Sequence, residues 1–128
     1  MRTAVILASL AVVIAAAPVR AEGRLAGETL RETISGKQVY LATPLGGEFP
    51  LNYKANGEVD GSGKAVGLGK YMQPTDSGAW WVSGDRLCQK WKSWYGGREF
   101  CFTVEKDGPK TISWVRDDGM KGTARIEP

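Results

Sequence analysis

The chain has 128 residues, 17 of them Lys or Arg and 14 Asp or Glu, with two cysteines and no histidine. Without histidine, His-based catalysis is excluded, and two cysteines alone make only half of a zinc site. Arg2 and Arg20 lie in an N-terminal segment that we expect to be removed, and 17 basic residues less these two leaves 15 against 14 acidic. A domain this close to neutral is not expected to bind nucleic acid or an anionic membrane.

A secretory signal peptide is predicted at residues 1–21. Arg2 gives a positive start, and the apolar run from Ala4 to Ala17 is short for a membrane span and is followed by small residues. Cleavage fits best after Ala21, with Ala17 as the alternative. We therefore expect residues 22–128 to form a single β domain that is periplasmic or secreted, with no transmembrane segment after cleavage.

The first element of that domain is predicted to be a short helix from Glu22 to Ser35. Leu25, Leu30 and Ile34 lie near helical spacing, and Gly36 is placed as a C-terminal stop. We expect this helix to cover one end or edge of a sheet.

From Lys37 onward the hydrophobic period changes to two, which is typical of strands. Two predicted strands are joined by Pro44-Leu45-Gly46-Gly47, and the Ala55-Asn56-Gly57 turn then leads into a third at Glu58 to Gly61. The alternating apolar residues of the first two strands are Val39 and Leu41, then Phe49, Leu51 and Tyr53.

A glycine-rich run follows from Gly61 to Lys70, but its spacing fits neither a phosphate-binding loop nor a dinucleotide fingerprint. We interpret its glycines as bends or bulges in a loose strand or exposed loop, and a mobile flap over a pocket is the functional alternative. These glycines are Gly61, Gly63, Gly67 and Gly69.

The segment from Gly78 to Val104 holds four of the five tryptophans and both cysteines. Turn signals at Ser83-Gly84-Asp85 and Tyr95-Gly96-Gly97 divide it into a three-strand meander. Two more strands are indicated by Ile112 and Trp114, and by Met120, Ala124 and Ile126. About eight strands with short connections favour a small antiparallel up-and-down barrel or half-barrel, lipocalin-like, in the all-β class; a two-sheet sandwich is the next choice.

Cys88 and Cys101 are predicted to form a disulfide, because an exported chain meets an oxidising compartment. Such a bridge would stabilise the fold by roughly 3 kcal/mol; two buried free thiols are the alternative. A two-residue turn at Gly96-Gly97 would hold the cysteines too far apart. Opposing them requires a turn centred on Trp94 and Tyr95, a bulge, or a longer loop, and we expect the longer loop, from about Ser93 to Arg98.

Catalytic chemistry is left with carboxylates, since no nucleophile motif occurs and the thiols are expected to be tied together. Most carboxylates lie in or beside turns, where Asp bonds its own backbone, so we predict no catalytic residues, metal or cofactor. The candidates considered were Glu48, Glu58, Asp60, Asp76, Asp85, Glu99, Glu105, Asp107, Asp117 and Asp118.

The aromatic residues are the other concentrated feature. Strand alternation places Trp80 and Val82 on one face and Trp81 on the other, so at most half of the large rings point inward. Exposed tryptophans beside lysines suit sugar stacking or a protein interface, while filling of a small core is the plainer alternative. The candidate binding surface comprises Trp81, Trp94, Tyr95, Lys90 and Lys92.

A family resemblance is carried by the pattern Gly78-x-Trp80-Trp81-Val82-x-Gly84-Asp85-x-Leu87-Cys88-x-x-Trp91, followed by Phe100-Cys101-Phe102. This pattern resembles the exported bacterial family known as domain of unknown function 995, over most of residues 22–128. The resemblance implies the fold and is nearly silent on activity. A looser likeness, on fewer residues, is to small periplasmic β-barrel inhibitors of proteases or lysozyme.

Three functional hypotheses follow. The first is a non-enzymatic exported binding module whose partner is a protein, a glycan or a small apolar ligand of the cell envelope. The second is an inhibitor that inserts a loop, such as Gly61 to Lys70, into an enzyme. The third, much the weakest, is a carboxylate-dependent enzyme. An exposed Trp-lined cavity would favour the first, a filled barrel with a rigid protruding loop the second, and two carboxylates converging in a cleft the third.

Overall fold

The computed structural model describes residue 4 and residues 8–13, 23–44, 46–63 and 74–128. In this part of the chain one helix is followed by eight strands: α1 (Gly27–Ile34), β1 (Lys37–Ala42), β2 (Glu48–Tyr53), β3 (Glu58–Ser62), β4 (Thr75–Ser83), β5 (Arg86–Trp91), β6 (Glu99–Lys106), β7 (Thr111–Arg116) and β8 (Lys121–Glu127). A 3-10 turn, Trp94–Gly97, lies between β5 and β6. The predicted cleavage sites after Ala17 and Ala21 lie outside the described residues.

The eight strands form a closed antiparallel barrel in which each strand pairs with the next and β8 pairs with β1. Val39 of β1 lies opposite Leu51 of β2 on one side and opposite Ile126 of β8 on the other. Closure leaves no unpaired sheet edge. The predicted all-β up-and-down barrel of about eight strands with a short helix is confirmed, and the half-barrel and sandwich alternatives are wrong.

Up-and-down topology sorts the connections to the two ends of the barrel. Strands β1, β3, β5 and β7 end at one end of the barrel, which we call the open end; its described connections are those between β1 and β2, β5 and β6, and β7 and β8. Those joining β2–β3, β4–β5 and β6–β7 lie at the other, the closed end, together with α1, which precedes β1. The two ends are therefore built from different loops.

Helix α1 covers the closed end. Leu30 and Ile34, one turn apart on the same helical face, are fully buried. The helix contacts β1 and β4, which are not neighbours in the sheet, so it crosses the end of the barrel. Gly36, with φ of 73°, reverses the chain into β1. The predicted covering role of the helix is confirmed.

The helix begins at Gly27, later than the predicted start at Glu22, which itself is not described. Before the helix the chain is extended. Arg24 forms an isolated antiparallel β-bridge with Glu105 through the backbone, and the Leu25 amide donates a hydrogen bond to the Val104 carbonyl at 2.9 Å. Strand β5 pairs with β6 only up to Thr103, so the backbone beyond that residue needs another partner. Residues 23–25 supply it, and this pairing outweighs the local helical pattern.

The disulfide Cys88–Cys101 joins directly opposed positions of β5 and β6. It lies on the outer face, because Leu87, Gln89 and Trp91 of β5 point inward. The β5–β6 connection spans residues 92–98, which gives the register that the bridge needs. Both the predicted disulfide and the predicted longer loop are confirmed.

Candidate ligand cavity

The barrel interior holds a cavity of about 420 Å³. That volume lies within the roughly 300–1,000 Å³ typical of small-molecule sites. Most of its wall is aliphatic or aromatic, contributed by all strands except β3 and β4 together with α1 and the open-end connections. The strand side chains that face it include Val39, Leu41, Phe49, Leu51, Tyr53, Leu87, Gln89, Trp91, Phe100, Phe102, Val104, Ile112 and Trp114.

The cavity is closed at one end and reaches the surface at the other. Ile34 of α1 lines its closed end. At the open end the lining includes Tyr95 and Met120, from two different connections, and these residues are 56% and 54% exposed. A ligand would therefore enter between the open-end connections.

Trp94 forms part of the cavity wall and is only 4% exposed. Its ring lies 4.6 Å from that of Trp91 and 5.4 Å from that of Phe49, measured between centroids. The expectation that Trp94 is partly exposed is thus wrong. The β5–β6 connection bends back so that this indole enters the barrel, while Tyr95, with φ of 56°, stays at the rim and is mostly exposed.

Asp76 of β4 fixes the conformation of this connection. Its carboxylate accepts hydrogen bonds from the backbone amides of Ser93 and Trp94, each at 2.8 Å. Burial opposes its ionisation, but the amides of Trp94, Ser93 and Ser77 and the charge of Lys92 outweigh burial and lower the pKa of Asp76. A carboxylate that sequence reasoning considered for catalysis therefore holds Trp94 in place.

Glycine at position 61 leaves room for the same indole. A Cβ at Gly61 would lie 2.9 Å from Cζ3 of Trp94 and 2.8 Å from Cδ2 of Leu51. Gly61 pairs regularly with Leu51 and Asp76 in the sheet, so the predicted bend or bulge at this residue is wrong. Gly67 and Gly69, and with them most of the predicted flap, lie outside the described residues.

A buried polar pair interrupts the apolar wall. The hydroxyl of Tyr53 donates to Oε1 of Gln89 at 2.6 Å, and the two residues are 4% and 5% exposed. Burial, with a smaller contribution from Tyr95, raises the pKa of Tyr53, so the phenol keeps its proton at neutral pH. In the described part of the chain the Gln89 side-chain nitrogen makes no hydrogen bond.

Two further donors in the wall are unpaired. Nε1 of Trp91 and Nε1 of Trp114 are buried and have no hydrogen-bond partner among the described residues. Trp114 packs flat against Gly122, where a Cβ would lie 2.7 Å from Cζ2 of the indole. The buried, unpaired side-chain groups of the described wall are thus N–H donors.

Arg116 lies at the rim of the cavity, its side chain only 10% exposed. Its Nε and Nη2 donate to the Asp118 carboxylate at 2.8 and 2.7 Å, and its guanidinium carbon lies 4.3 Å from the Phe100 ring centroid. The hydrogen bond from Arg116 lowers the pKa of Asp118 to about 2, and the same bond raises the pKa of Arg116. Lys121 also lines this end, so the charged residues of the described lining are both cations.

The residues of the predicted binding surface do not form one surface. Trp81 and Lys90 lie on the outer wall, where Trp81 is opposite Cys88 and half-buried. Lys92 is in the β5–β6 connection, Tyr95 is at the rim, and Trp94 is inside. Of the predicted set, the structure brings Trp94 and Tyr95 to the cavity.

None of the candidate carboxylates lines the described wall of the cavity, although Asp118 is paired with Arg116 at the rim. Several are held in pairs: Glu48 with Arg125, Asp60 with Asn52 and Lys54, and Asp85 with Arg24. Within residues 23–44, 46–63 and 74–128, no three acidic or sulfur side chains come together as a metal site would require.

Sequence reasoning missed Gln89 and Arg116 as cavity residues, although the sequence contained a signal for each. Gln89 lies between Leu87 and Trp91 at strand spacing, and Arg116 continues the alternation of Ile112 and Trp114. A polar side chain on an inward face needs a partner or a function. The same rule identifies both residues.

No protein-family model, curated protein or solved structure matches the chain. The resemblance to domain of unknown function 995, and the looser one to periplasmic inhibitors, therefore stay predictions. Among the described helices, none is long and apolar enough to cross a membrane.

Proposed function

We propose that this protein is a non-enzymatic, exported binding protein that holds a small apolar ligand inside its barrel. The observation that supports this most is the cavity of about 420 Å³, walled mainly by aliphatic and aromatic side chains and open at one end. Eight-stranded barrels either fill their interior with side chains or keep room for one small ligand, and this barrel keeps room.

The unfilled interior is informative because it is costly. Protein cores pack densely, and lost contacts around a void lower stability. Eight of the described lining residues are aromatic, and their rings still leave the space free: Phe49, Tyr53, Trp91, Trp94, Tyr95, Phe100, Phe102 and Trp114. A protein is expected to tolerate the lower stability that a cavity causes when a ligand occupies that cavity.

Residue placement favours binding over catalysis. Several carboxylates considered for acid–base chemistry are engaged in surface pairs, as Glu48 and Asp85 are, or, like Asp76, in holding backbone. A reaction centre would need titratable groups that converge in the cleft. The inhibitor hypothesis depends on the segment from Gly61 to Lys70. Gly61 and Ser62 end β3 and Gly63 follows it, and the rest of that segment lies outside the described residues.

Export to the periplasm or beyond is part of the proposal. It is supported by the N-terminal signal pattern and by the Cys88–Cys101 disulfide, which persists in oxidising compartments.

The test is a binding titration of the secreted, oxidised protein with a neutral, apolar fluorescent probe such as N-phenylnaphthylamine. Val39→Phe adds volume to a wall residue that is 3% exposed. Val115→Phe is the matched control, because Val115 is 46% exposed on the outside of β7. We expect one probe per protein, at least about tenfold weaker binding to Val39→Phe and unchanged binding to Val115→Phe. Equal binding to both variants, or no saturable binding to the parent protein, would contradict the proposal.

A further inference from the structure

Gln89 is the starting point for identifying the ligand class. It lies on the inward face of β5 between Leu87 and Trp91, and it is 5% exposed. Placing an amide among apolar side chains is unfavourable unless its donors and acceptor are bonded. Gln89 therefore either has partners in the protein or is there to meet something that enters the cavity.

Among the described residues, only the oxygen of the Gln89 side-chain amide has a hydrogen-bond partner. The Tyr53 hydroxyl keeps its proton and donates a hydrogen bond to Oε1 of Gln89, with 2.6 Å between the two oxygens. The hydroxyl has no other acceptor among the described residues, so the amide orientation that satisfies it places Oε1 rather than Nε2 against the hydroxyl. The two N–H groups on Nε2 remain, and no described residue accepts from them. Unlike Nε1 of Trp91 and Nε1 of Trp114, the Gln89 Nε2 atom is not fully enclosed by protein. Its accessible surface faces the cavity that Gln89 lines.

The positions of Arg116 and Lys121 indicate which kind of hydrogen-bond acceptor the ligand can present to Gln89. Arg116 is the last residue of β7 and Lys121 the first of β8, so both flank the open-end connection. Gln89 lies in the middle of β5, where its neighbours across the cavity wall are Tyr53 and the apolar core. A carboxylate brought to Gln89 would be a buried anion without a counter-ion, which is strongly unfavourable. A carbonyl oxygen accepts from the amide without that penalty.

We propose that the ligand is an apolar molecule with a neutral carbonyl oxygen, as in a ketone, ester or amide, and that Nε2 of Gln89 donates to this oxygen within the barrel. This inference rests on the proposed binding function and narrows its ligand class. The Tyr53 hydroxyl is a positioning group, because it occupies Oε1 and thereby turns Nε2 toward the cavity.

Three probes with the same nonyl tail test the inference: the methyl ketone, the terminal alkene in which a methylene replaces the carbonyl oxygen, and the carboxylate. Each is titrated by calorimetry or tryptophan fluorescence against the parent protein, Tyr53→Phe, and Tyr53→Phe combined with Gln89→Met. The double variant removes both polar groups and so leaves no unpaired hydroxyl. Tyr53→Phe keeps Nε2 but leaves Oε1 without its donor, so it measures the positioning role of the hydroxyl.

We expect the double variant to bind the ketone about tenfold more weakly than the parent protein does, which corresponds to the loss of one hydrogen bond to a neutral acceptor. Tyr53→Phe should lie between the two, because it keeps Nε2 but not its fixed orientation. Binding of the alkene should change less than about twofold. Comparing each ligand across variants cancels the different water solubilities of the probes. Thermal unfolding of each variant confirms that it is folded.

The outcomes separate the two proposals. If ketone and alkene both bind and lose affinity equally in the double variant, the carbonyl inference is wrong and the binding function stands. If the carboxylate binds more tightly than the ketone, the neutral acceptor is wrong and the rim cations select the ligand. If none of the three probes binds the parent protein, both proposals fall.

Discussion

Gly61 of β3 lies against the indole of Trp94, so close that a Cβ would come within 2.9 Å of Cζ3. The absence of a side chain on one strand thus allows a loop tryptophan to enter the barrel. This contact joins the β5–β6 connection to β3, two strands away from β5 in the barrel.

Gly61→Ala should destabilise the barrel by about 1–3 kcal/mol, since an added methyl in a packed interior forces its neighbours to shift. Chemical unfolding measures the loss. In a Trp94→Leu background the indole contact is relieved while the contact with Leu51 Cδ2 at 2.8 Å remains, so the same substitution should cost less. Equal costs in the two backgrounds would mean that the ring does not confine position 61.

Trp94→Ala and Trp81→Ala are expected to differ clearly. Trp94 is 4% exposed and contacts Phe49 and Trp91, so its removal should cost about 3–5 kcal/mol. Trp81 is half-buried on the outer wall, and its removal should cost about 1–2 kcal/mol. Urea unfolding of both variants gives the comparison. A similar loss for each would show that Trp94 is not an interior residue.

Much of the fold could be predicted because its determinants are local. Alternating apolar residues and turn residues at Asn56-Gly57 and Gly84-Asp85 specify strands and hairpins within a few residues of each other. Closure of the barrel depends instead on a contact between distant parts of the chain, because β1 pairs with β8, with Val39 opposite Ile126. No periodic pattern encodes that pairing, which left barrel and half-barrel open.

The site was harder to predict than the fold because it depends on a loop. Trp94 has no strand partner whose alternation could assign it to a face, and its direction follows from Asp76 and from Tyr95 in the left-handed region. Gln89 could have been found, since it alternates with Leu87 and Trp91. Strand alternation determines where Gln89 points, whereas the conformation of a connection determines where Trp94 points.

Removal of the disulfide, by Cys88→Ala with Cys101→Ala, should lower the free energy of unfolding by about 3 kcal/mol for a bridge between residues 13 apart. Guanidinium unfolding with and without dithiothreitol measures this. The reductant should destabilise the parent protein by a similar amount and leave the variant unchanged. A parent protein insensitive to complete reduction would contradict the stabilising role.

The Asp76 carboxylate gives the barrel a specific pH dependence. Its pKa is lowered in the folded protein from the ordinary value of 3.8, so it stabilises the fold above that pH and the contribution is lost as pH falls through the lower folded pKa. Asp76→Asn removes the charge, and we expect it to cost about 1–2 kcal/mol at neutral pH, because the amides of Ser93 and Trp94 lose a charged acceptor.

The difference between parent and Asp76→Asn should therefore be constant near neutrality and shrink below about pH 4, where the parent carboxylate also becomes neutral. Denaturation curves at a series of pH values follow it, and tryptophan fluorescence reports whether Trp94 leaves the interior. Asp85→Asn is the control: its ion pair with Arg24 is exposed, with 3.0 Å between the charged atoms, and should be worth less than about 1 kcal/mol at neutral pH. A difference that grows on acidification would show that Asp76 does not hold the connection in its charged form.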